Sequence, residues 1–332
     1  MTPDRETGAL RPAAPPRAAS HALVQAIGLD LGGTKLLAGA AGPDGRLGPG
    51  RAEASRTCSE AALFEQLAHV VGSLRDERPR AVVALGAPGA VDPRSGGLDF
   101  TPNVPVTPGR ALGRDLGEAL GLDVVAENDV NLAALAEARL GAGQGAALSC
   151  FVSFGTGVGL GIVSGGRILP GAHGRAGEIS YLPLAADAVA AAARSEAGQF
   201  EDLVGTAAIR RAYGRDGADV RTIFARAARG EAAALGTIRA IAAEAARGLA
   251  SLQAILDPDV IVIGGGIGTH RLFRETLAAE AARLLPFPLR LAAPRLGAAA
   301  GMTGAVILAA DLAGLPTPLP AGQAAETDGE TL

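Results

Sequence analysis

Short apolar runs alternate with longer amphipathic ones along this chain, and several of the short runs end in glycine. Val24 to Leu29 and Ala147 to Phe154 read as strands. Each leads through a glycine-threonine loop into a second strand-like run, Leu36 to Ala41 and Leu160 to Val163. The pattern next predicts a helix from Ser59 to Leu74, a strand from Ala81 to Ala87 ending in Pro88-Gly89, and a helix from Gly109 to Leu120. A strand from Asp123 to Ala126 and a helix from Asp129 to Leu140 follow. An Ala-rich helix from Glu231 to Leu256 is stopped by Asp257-Pro258, Asp259 to Ile263 is a buried strand, and Ala300 to Leu312 is the last helix. Such alternation predicts an α/β protein, and two similar strand-turn-strand starts predict a duplicated fold with a cleft between its halves.

The two loops are Asp30-Leu31-Gly32-Gly33-Thr34-Lys35 and Ser153-Phe154-Gly155-Thr156-Gly157-Val158-Gly159, with Glu127-Asn128-Asp129 between them in sequence. Backbone N–H groups reach an anion only where no Cβ stands in the way, so glycine suits a phosphate cradle. Thr34 and Thr156 add hydroxyl donors. Taken singly, each loop reads equally well as a hairpin turn. Taken together around an acidic segment, they read as a phosphate clamp around a catalytic acid. Neither matches the Walker loop or the dinucleotide fingerprint, because both of those open directly into a helix.

Composition narrows the classes. The chain has 332 residues, 48% of them hydrophobic and none of them Trp, so a sizeable core must be built from Ala, Val, Leu and Ile. A formal net charge of −4 gives no general attraction to nucleic acid or to an anionic membrane. Cys58 and Cys150 are too few for a disulfide scaffold, and a reducing cytoplasm is expected. Residues 1–20, rich in Pro, Ala and Arg, and the proline-broken tail 316–332 are expected to be disordered, and neither reads as a signal peptide or a membrane span.

Five segments carry a specific resemblance: Asp30 to Lys35, Pro102-Asn103, Glu127 to Asn131, Gly171 to Glu178, and Leu256 to Ile267 with its sequel Ala300 to Ala305. In order and spacing they resemble the ROK family, sugar kinases and sugar-responsive repressors built on the actin-like ATPase (ribonuclease H-like) fold. The resemblance implies two domains with a central cleft. The smaller takes residues 21–118 with 301–315, and the larger takes 119–300. It further implies ATP and Mg²⁺ as cofactors, a small sugar or sugar-like substrate, and a homodimer.

Phosphoryl transfer to an alcohol needs a positioned hydroxyl, neutralised phosphate charge and a proton acceptor. Asp129 is the expected base. It stands at the start of a helix, whose dipole is expected to keep it ionised; the alternative is a plain helix N-cap. Asp30 is expected to hold Mg²⁺ through water. Gly32, Gly33, Thr34, Gly155, Thr156 and Gly157 are expected at the phosphates, and Lys35 either joins them or lies on the strand surface. Gly264, Gly265 and Gly266 are expected near the adenosine or its phosphates, or else form a strand-to-helix turn. By resemblance, Gly89, Asn103, Asn128, Asp129, Glu178, Tyr181 and Glu201 face the sugar.

One departure stands out. Many family members continue Gly-Glu-Ile-Gly-His, with a zinc-binding histidine and a cysteine cluster after it, where this chain reads Gly177-Glu178-Ile179-Ser180-Tyr181 and has no cysteine beyond Cys150. No structural zinc is expected. Tyr181 is longer than histidine and neutral, so a modified sugar, an amino sugar or a C7 cyclitol is a candidate substrate besides glucose. The family's repressors carry a helix-turn-helix before the first loop. Here the Pro-rich Met1 to Leu23 precede it, so an enzyme is expected rather than a repressor. A non-catalytic sugar sensor is the alternative.

Overall fold

In this computed structural model, residues 24–75, 80–101 and 104–319 are described. The first half contains β1 (Val24–Leu31), β2 (Lys35–Ala41), β3 (Arg51–Ala54), α1 (Glu60–Leu74), β4 (Arg80–Ala87), a small ribbon of β5 (Ala90–Val91) and β6 (Leu98–Asp99), α2 (Leu112–Leu120), β7 (Asp123–Asn128) and α3 (Asp129–Leu140). The second half begins with β8 (Leu148–Phe154), β9 (Val158–Ser164) and β10 (Arg167–Ile168). After these come α4 (Ala188–Ala192), α5 (Glu201–Val204), α6 (Thr206–Tyr213), α7 (Val220–Ala228) and the long α8 (Ala232–Leu256). It ends with β11 (Val260–Gly264), α9 (Gly265–Gly268), α10 (Arg271–Ala281), β12 (Leu291–Ala292) and α11 (Ala300–Ala313).

The two halves repeat one plan. The first sheet runs β3-β2-β1-β4-β7 and the second β10-β9-β8-β11-β12. In each, an antiparallel hairpin carries a third antiparallel strand on one side and two parallel strands on the other. The parallel strands need covering on both faces, and alternate residues supply the two coats. Ile27, Leu29 and Leu31 of β1 pack with Leu63 and Leu67 of α1 and Leu112 of α2. Val24 and Ala26 pack instead with Ala305, Val306 and Ala309 of α11 and Leu132 of α3. In the second sheet Phe151 and Val262 meet Ala133 and Ala134 of α3, while Val152, Phe154 and Ile263 meet Ile238 and Leu249 of α8 and Phe273 of α10.

Helices α3 and α11 therefore fill the space between the sheets. That is why α11 is buried over most of its surface and apolar nearly all round. The two helices cross closely at Gly304, where a Cβ would run into the Leu132 carbonyl.

Three expectations change. The first sheet includes β7, beyond the boundary placed at residue 118, because β7 completes the pair of parallel strands against β4. The helix expected from Gly109 starts at Leu112, since Gly109 has φ of 79° and cannot lie in a helix. Within the tail expected to be disordered, Leu319 exchanges backbone hydrogen bonds with Leu47 at 3.0 Å and Gly45 at 2.8 Å. Helices α4 to α7 and α10 lie outside the sequence reading altogether. Among the described residues, no helix is long and apolar enough to cross a membrane.

Candidate active site

Asp129 is the first residue of α3, at the floor of a cleft of about 790 Å³ between the halves. The cap of α3 is its neighbour Asn128, whose Oδ1 accepts from the Asn131 N–H at 3.0 Å. Asn128 Nδ2 donates to the Gly89 carbonyl at 2.9 Å, so both ends of this side chain hold the protein together. Glu127 Oε1 accepts from the Asn128 N–H at 2.8 Å and from Asn131 Nδ2 at 2.9 Å, which fixes the turn from β7 into α3. Freed from capping, Asp129 lines the cleft, and its carboxylate accepts the Val130 N–H at 2.9 Å and the N–H of its own residue.

The helix start does not hold the Asp129 carboxyl in the ordinary range, contrary to the expectation from its position in sequence. Its pKa is pushed up to about 7, first by desolvation, then by the negative charges of Asp30 and Glu178. Asp30, at the end of β1, is pushed up to about 6 by desolvation, opposed by the Lys35 charge and by the Met302 N–H at the start of α11. The close crossing of β1 by α11 brings that helix start to Asp30, and a Cβ on Gly301 would run into its carboxylate. Two carboxyls with raised pKa beside each other form a pair that a cation would stabilise.

The second glycine loop lines the same cleft with Gly155, Thr156 and Gly157. Gly155 N–H donates to the Gly157 carbonyl at 2.9 Å, closing the turn. Glu201 Oε2 accepts the Val158 N–H at 3.0 Å and lies where a Gly157 Cβ would be, so this carboxylate pins the loop as well as facing the cleft. Gly265, with φ of 79°, lies against the Phe154 backbone, and Gly266 stands beside Gly155. The three glycines thus open α9 directly next to the second loop. The first loop is closed by Gly32 N–H to the Lys35 carbonyl at 2.9 Å and tied by Ser55 Oγ to the Gly32 carbonyl at 2.6 Å. Thr34 and Lys35 are exposed, and Gly33 is half-buried.

Gly89, Glu178 and Tyr181 also line the cleft, whereas Asp30, the first loop and Gly264 to Gly266 do not. Glu178 is raised by desolvation and by Glu201, with Arg175 opposing. Asn103 lies outside the described residues. Sequence reasoning did not single out Asn131, Phe100 or Glu196, all in the cleft wall. Asn131 is 2% exposed and its Oδ1 has no hydrogen-bond partner among the described residues. Its place one helical step from Asn128 was a usable signal. Among the described residues no group of three or more His, Cys, Asp or Glu is placed to hold a metal ion. Cys150 is buried in β8, its thiol pushed up to about 12 by desolvation, and Cys58 is exposed.

Two like halves meeting over an acidic, glycine-lined cleft define the class, an actin-like ATPase fold. The ROK hexokinase from Thermus thermophilus shares it at TM-score 0.73 and 34% identity, over 86% of this chain and 97% of that one. A ROK family glucokinase from Streptomyces griseus, solved in complex with glucose and AMPPNP, matches at TM-score 0.73 and 27% identity, over 86% of this chain and 99% of that one. The ROK family model matches residues 26–312, and the chain belongs to the ROK family. In sequence it is 32% identical over 299 residues to an N-acetylmannosamine kinase of Escherichia coli, covering 85% of this chain and 97% of that protein. The bifunctional enzyme NanE/NanK of Brucella melitensis is 38% identical over 209 residues, 62% of this chain, and those residues span 39% of that longer protein.

Proposed function

We propose that the protein is an ATP- and Mg²⁺-dependent kinase that phosphorylates a hydroxyl, the primary one by preference, of a hexose or a closely related polyol. The observation that carries this reading is Asp129 at the cleft floor, released from capping by Asn128 and poised near pH 7. A base works best with a pKa near the operating pH. In the transfer the acceptor oxygen forms a bond to the γ-phosphorus as the bond from that phosphorus to the β–γ bridging oxygen breaks. The acceptor proton passes to a carboxylate oxygen of Asp129, and the other product is the nucleoside diphosphate.

The bare backbone of Gly155 to Gly157, with Thr156, would meet the phosphates from one side, and Gly32, Gly33, Thr34 and Lys35 from the other. Gly264 to Gly266 would lie along the nucleoside. Asp30, whose carboxyl is raised by desolvation, fits Mg²⁺ held through water, with the rest of the shell completed by water and phosphate oxygens. When bound, the ion would neutralise the charge on those oxygens. Asn128, Glu178 and Glu201 would read the acceptor's hydroxyls, with Asn131 Oδ1 as a further acceptor atom.

Lining charge supports an uncharged or amine-bearing acceptor. The described lining residues include Asp129, Glu178, Glu196 and Glu201, but no Lys, Arg or His. Tyr181 supports a modified sugar, an amino sugar or a C7 cyclitol, and a clear preference for glucose would sink that part of the reading. Resemblance supports a homodimer, and two cysteines lying in different halves fit a reducing compartment.

The test is ADP release with Mg²⁺-ATP across glucose, mannose, N-acetylmannosamine, fructose and a C7 cyclitol, with Asp129→Asn alongside. Turnover is expected on one class of acceptor and at least about a hundredfold less of it in the variant. Near-normal turnover in the variant removes Asp129 as base. Silence across the panel with sugar binding retained supports a sensor.

A further inference from the structure

We propose that Phe100 and Tyr181 form an aromatic plate at the mouth of the cleft, a subsite for a second ring or apolar substituent that the acceptor carries beyond its phosphorylated ring. The proposal rests on the polyol-kinase reading of the cleft and adds to it the size and face of the acceptor.

The chain has 8 Phe, 2 Tyr and no Trp, and among the described residues three of these rings are largely exposed, Phe100, Tyr181 and Phe287, of which Phe100 and Tyr181 line the cleft and Phe287 does not. Phe151, Phe154, Phe200, Phe224 and Phe273 are all buried in the second half. Phe100 and Tyr181 are instead 48% and 47% exposed, with ring centroids 6.0 Å apart and planes tilted by 56°. Both line the cleft that holds Asp129. They come from opposite sides of it: Phe100 follows β6 in the first half, and Tyr181 lies on a short 3₁₀ turn, Ile179–Tyr181, in the second.

Phe100 is held in its position at a cost. Its φ of 56° is in the left-handed region, which a bulky side chain rarely adopts. The guanidinium of Arg175 stands 5.6 Å from its ring centroid and 3.7 Å from the Asp99 carboxylate, backing one face of the ring. Tyr181 is tied to the cleft interior by its own N–H, which donates to the Glu178 carbonyl at 3.3 Å. Glu178 and Tyr181, three residues apart, thus line the same cleft.

A single polyol ring offers little apolar surface, and its hydroxyls are served by the carboxylates and amides deeper in the cleft. Two exposed aromatic faces at the rim match the C–H face of a further sugar or cyclitol ring, or an aryl group.

The test compares methyl and phenyl β-glycosides of glucose, mannose and N-acetylmannosamine, with Kd measured by calorimetry in the presence of a non-hydrolysable ATP analogue and Mg²⁺. Tyrosine emission is a second readout. Tyr213, the other tyrosine, is buried and donates to Glu231 Oε1 at 2.7 Å, so a ligand-dependent change reports Tyr181. The phenyl glycoside of at least one of the three sugars is expected to bind about tenfold tighter than its methyl counterpart and to change the emission. That ratio is expected to fall to about one in Tyr181→Ala and in Phe100→Asn, the latter chosen because Asn tolerates the left-handed backbone, and to survive in Tyr181→Phe. Equal affinities in the wild type, no binding of any phenyl glycoside, or a ratio unchanged in Tyr181→Ala overturns the plate. If the ratio behaves as expected while no acceptor releases ADP, the kinase reading fails and the plate stands.

Discussion

Replacing Asp129 with Asn is expected to stabilise the ligand-free protein even as it removes the proposed base. The cleft raises this carboxyl from 3.8 to about 7. A carboxyl whose folded pKa lies above its unfolded value takes up a proton on folding, so stability present below the unfolded pKa is lost as pH rises through the folded one. At about 1.4 kcal/mol per unit, the shift costs the folded state almost nothing near pH 3, about 1.5 kcal/mol at pH 5 and about 4 kcal/mol at pH 8. Asn has nearly the same shape and keeps an Oδ1 to accept the Val130 N–H, but it carries no charge for Asp30 and Glu178 to repel. The assay is urea unfolding of both proteins, followed by circular dichroism, in a metal-chelating buffer at pH 5 and pH 8. Asp129→Asn is expected to exceed the wild type by about 4 kcal/mol at pH 8 and by about 1.5 kcal/mol at pH 5. An advantage of equal size at both pH values, or a variant less stable than the wild type at pH 8, refutes the view that desolvation and like charge govern this carboxyl.

Further substitutions probe the supports of the site. Gly301→Ala places a methyl group against the Asp30 carboxylate at the start of α11, so kcat is expected to fall at least about tenfold although Ala is the better helix former, and steady-state kinetics beside a thermal melt separates the two effects. Glu201→Ala leaves the Val158 N–H unpartnered and unpins the second loop; KM for ATP is expected to rise about fivefold or more, and an unchanged KM would detach that loop from the nucleotide. Gly304→Val wedges α11 away from α3 and is expected to cost at least about 1–3 kcal/mol in chemical unfolding, with wild-type stability ruling out the close crossing.

The strand-turn-strand starts were legible because alternation and glycine are local signals. β1 and β8 each run into their loops and pair with the next strand as the apolar runs indicate. The ends of α1 and α8 were legible for a similar reason. Ser59 caps α1 through its side chain, and Asp257 takes a left-handed conformation before Pro258. Helices α4 to α7 were missed because they are short, although α6 and α7 carry apolar stripes at helical spacing, Ala208, Ile209 and Tyr213 in one and Ile223, Phe224 and Ala227 in the other. The membership of β7 in the first sheet was missed too, since pairing with β4 is a contact between segments distant in sequence.

Local pattern in the amino-acid sequence thus determined the α/β class, the two glycine loops and the acidic residue between them, while the resemblance of five segments pointed to the family that the family model matches. Tertiary structure alone decided that Asn128 caps α3 and leaves Asp129 facing the cleft. It also decided that Asp30 and Glu178 lie near enough to raise the Asp129 pKa, and that two aromatic rings from opposite halves meet at the rim. Capping and periodicity act over a few residues and can be read along the chain. Desolvation, charge repulsion and the meeting of the two halves act through space, between residues that become neighbours only on folding.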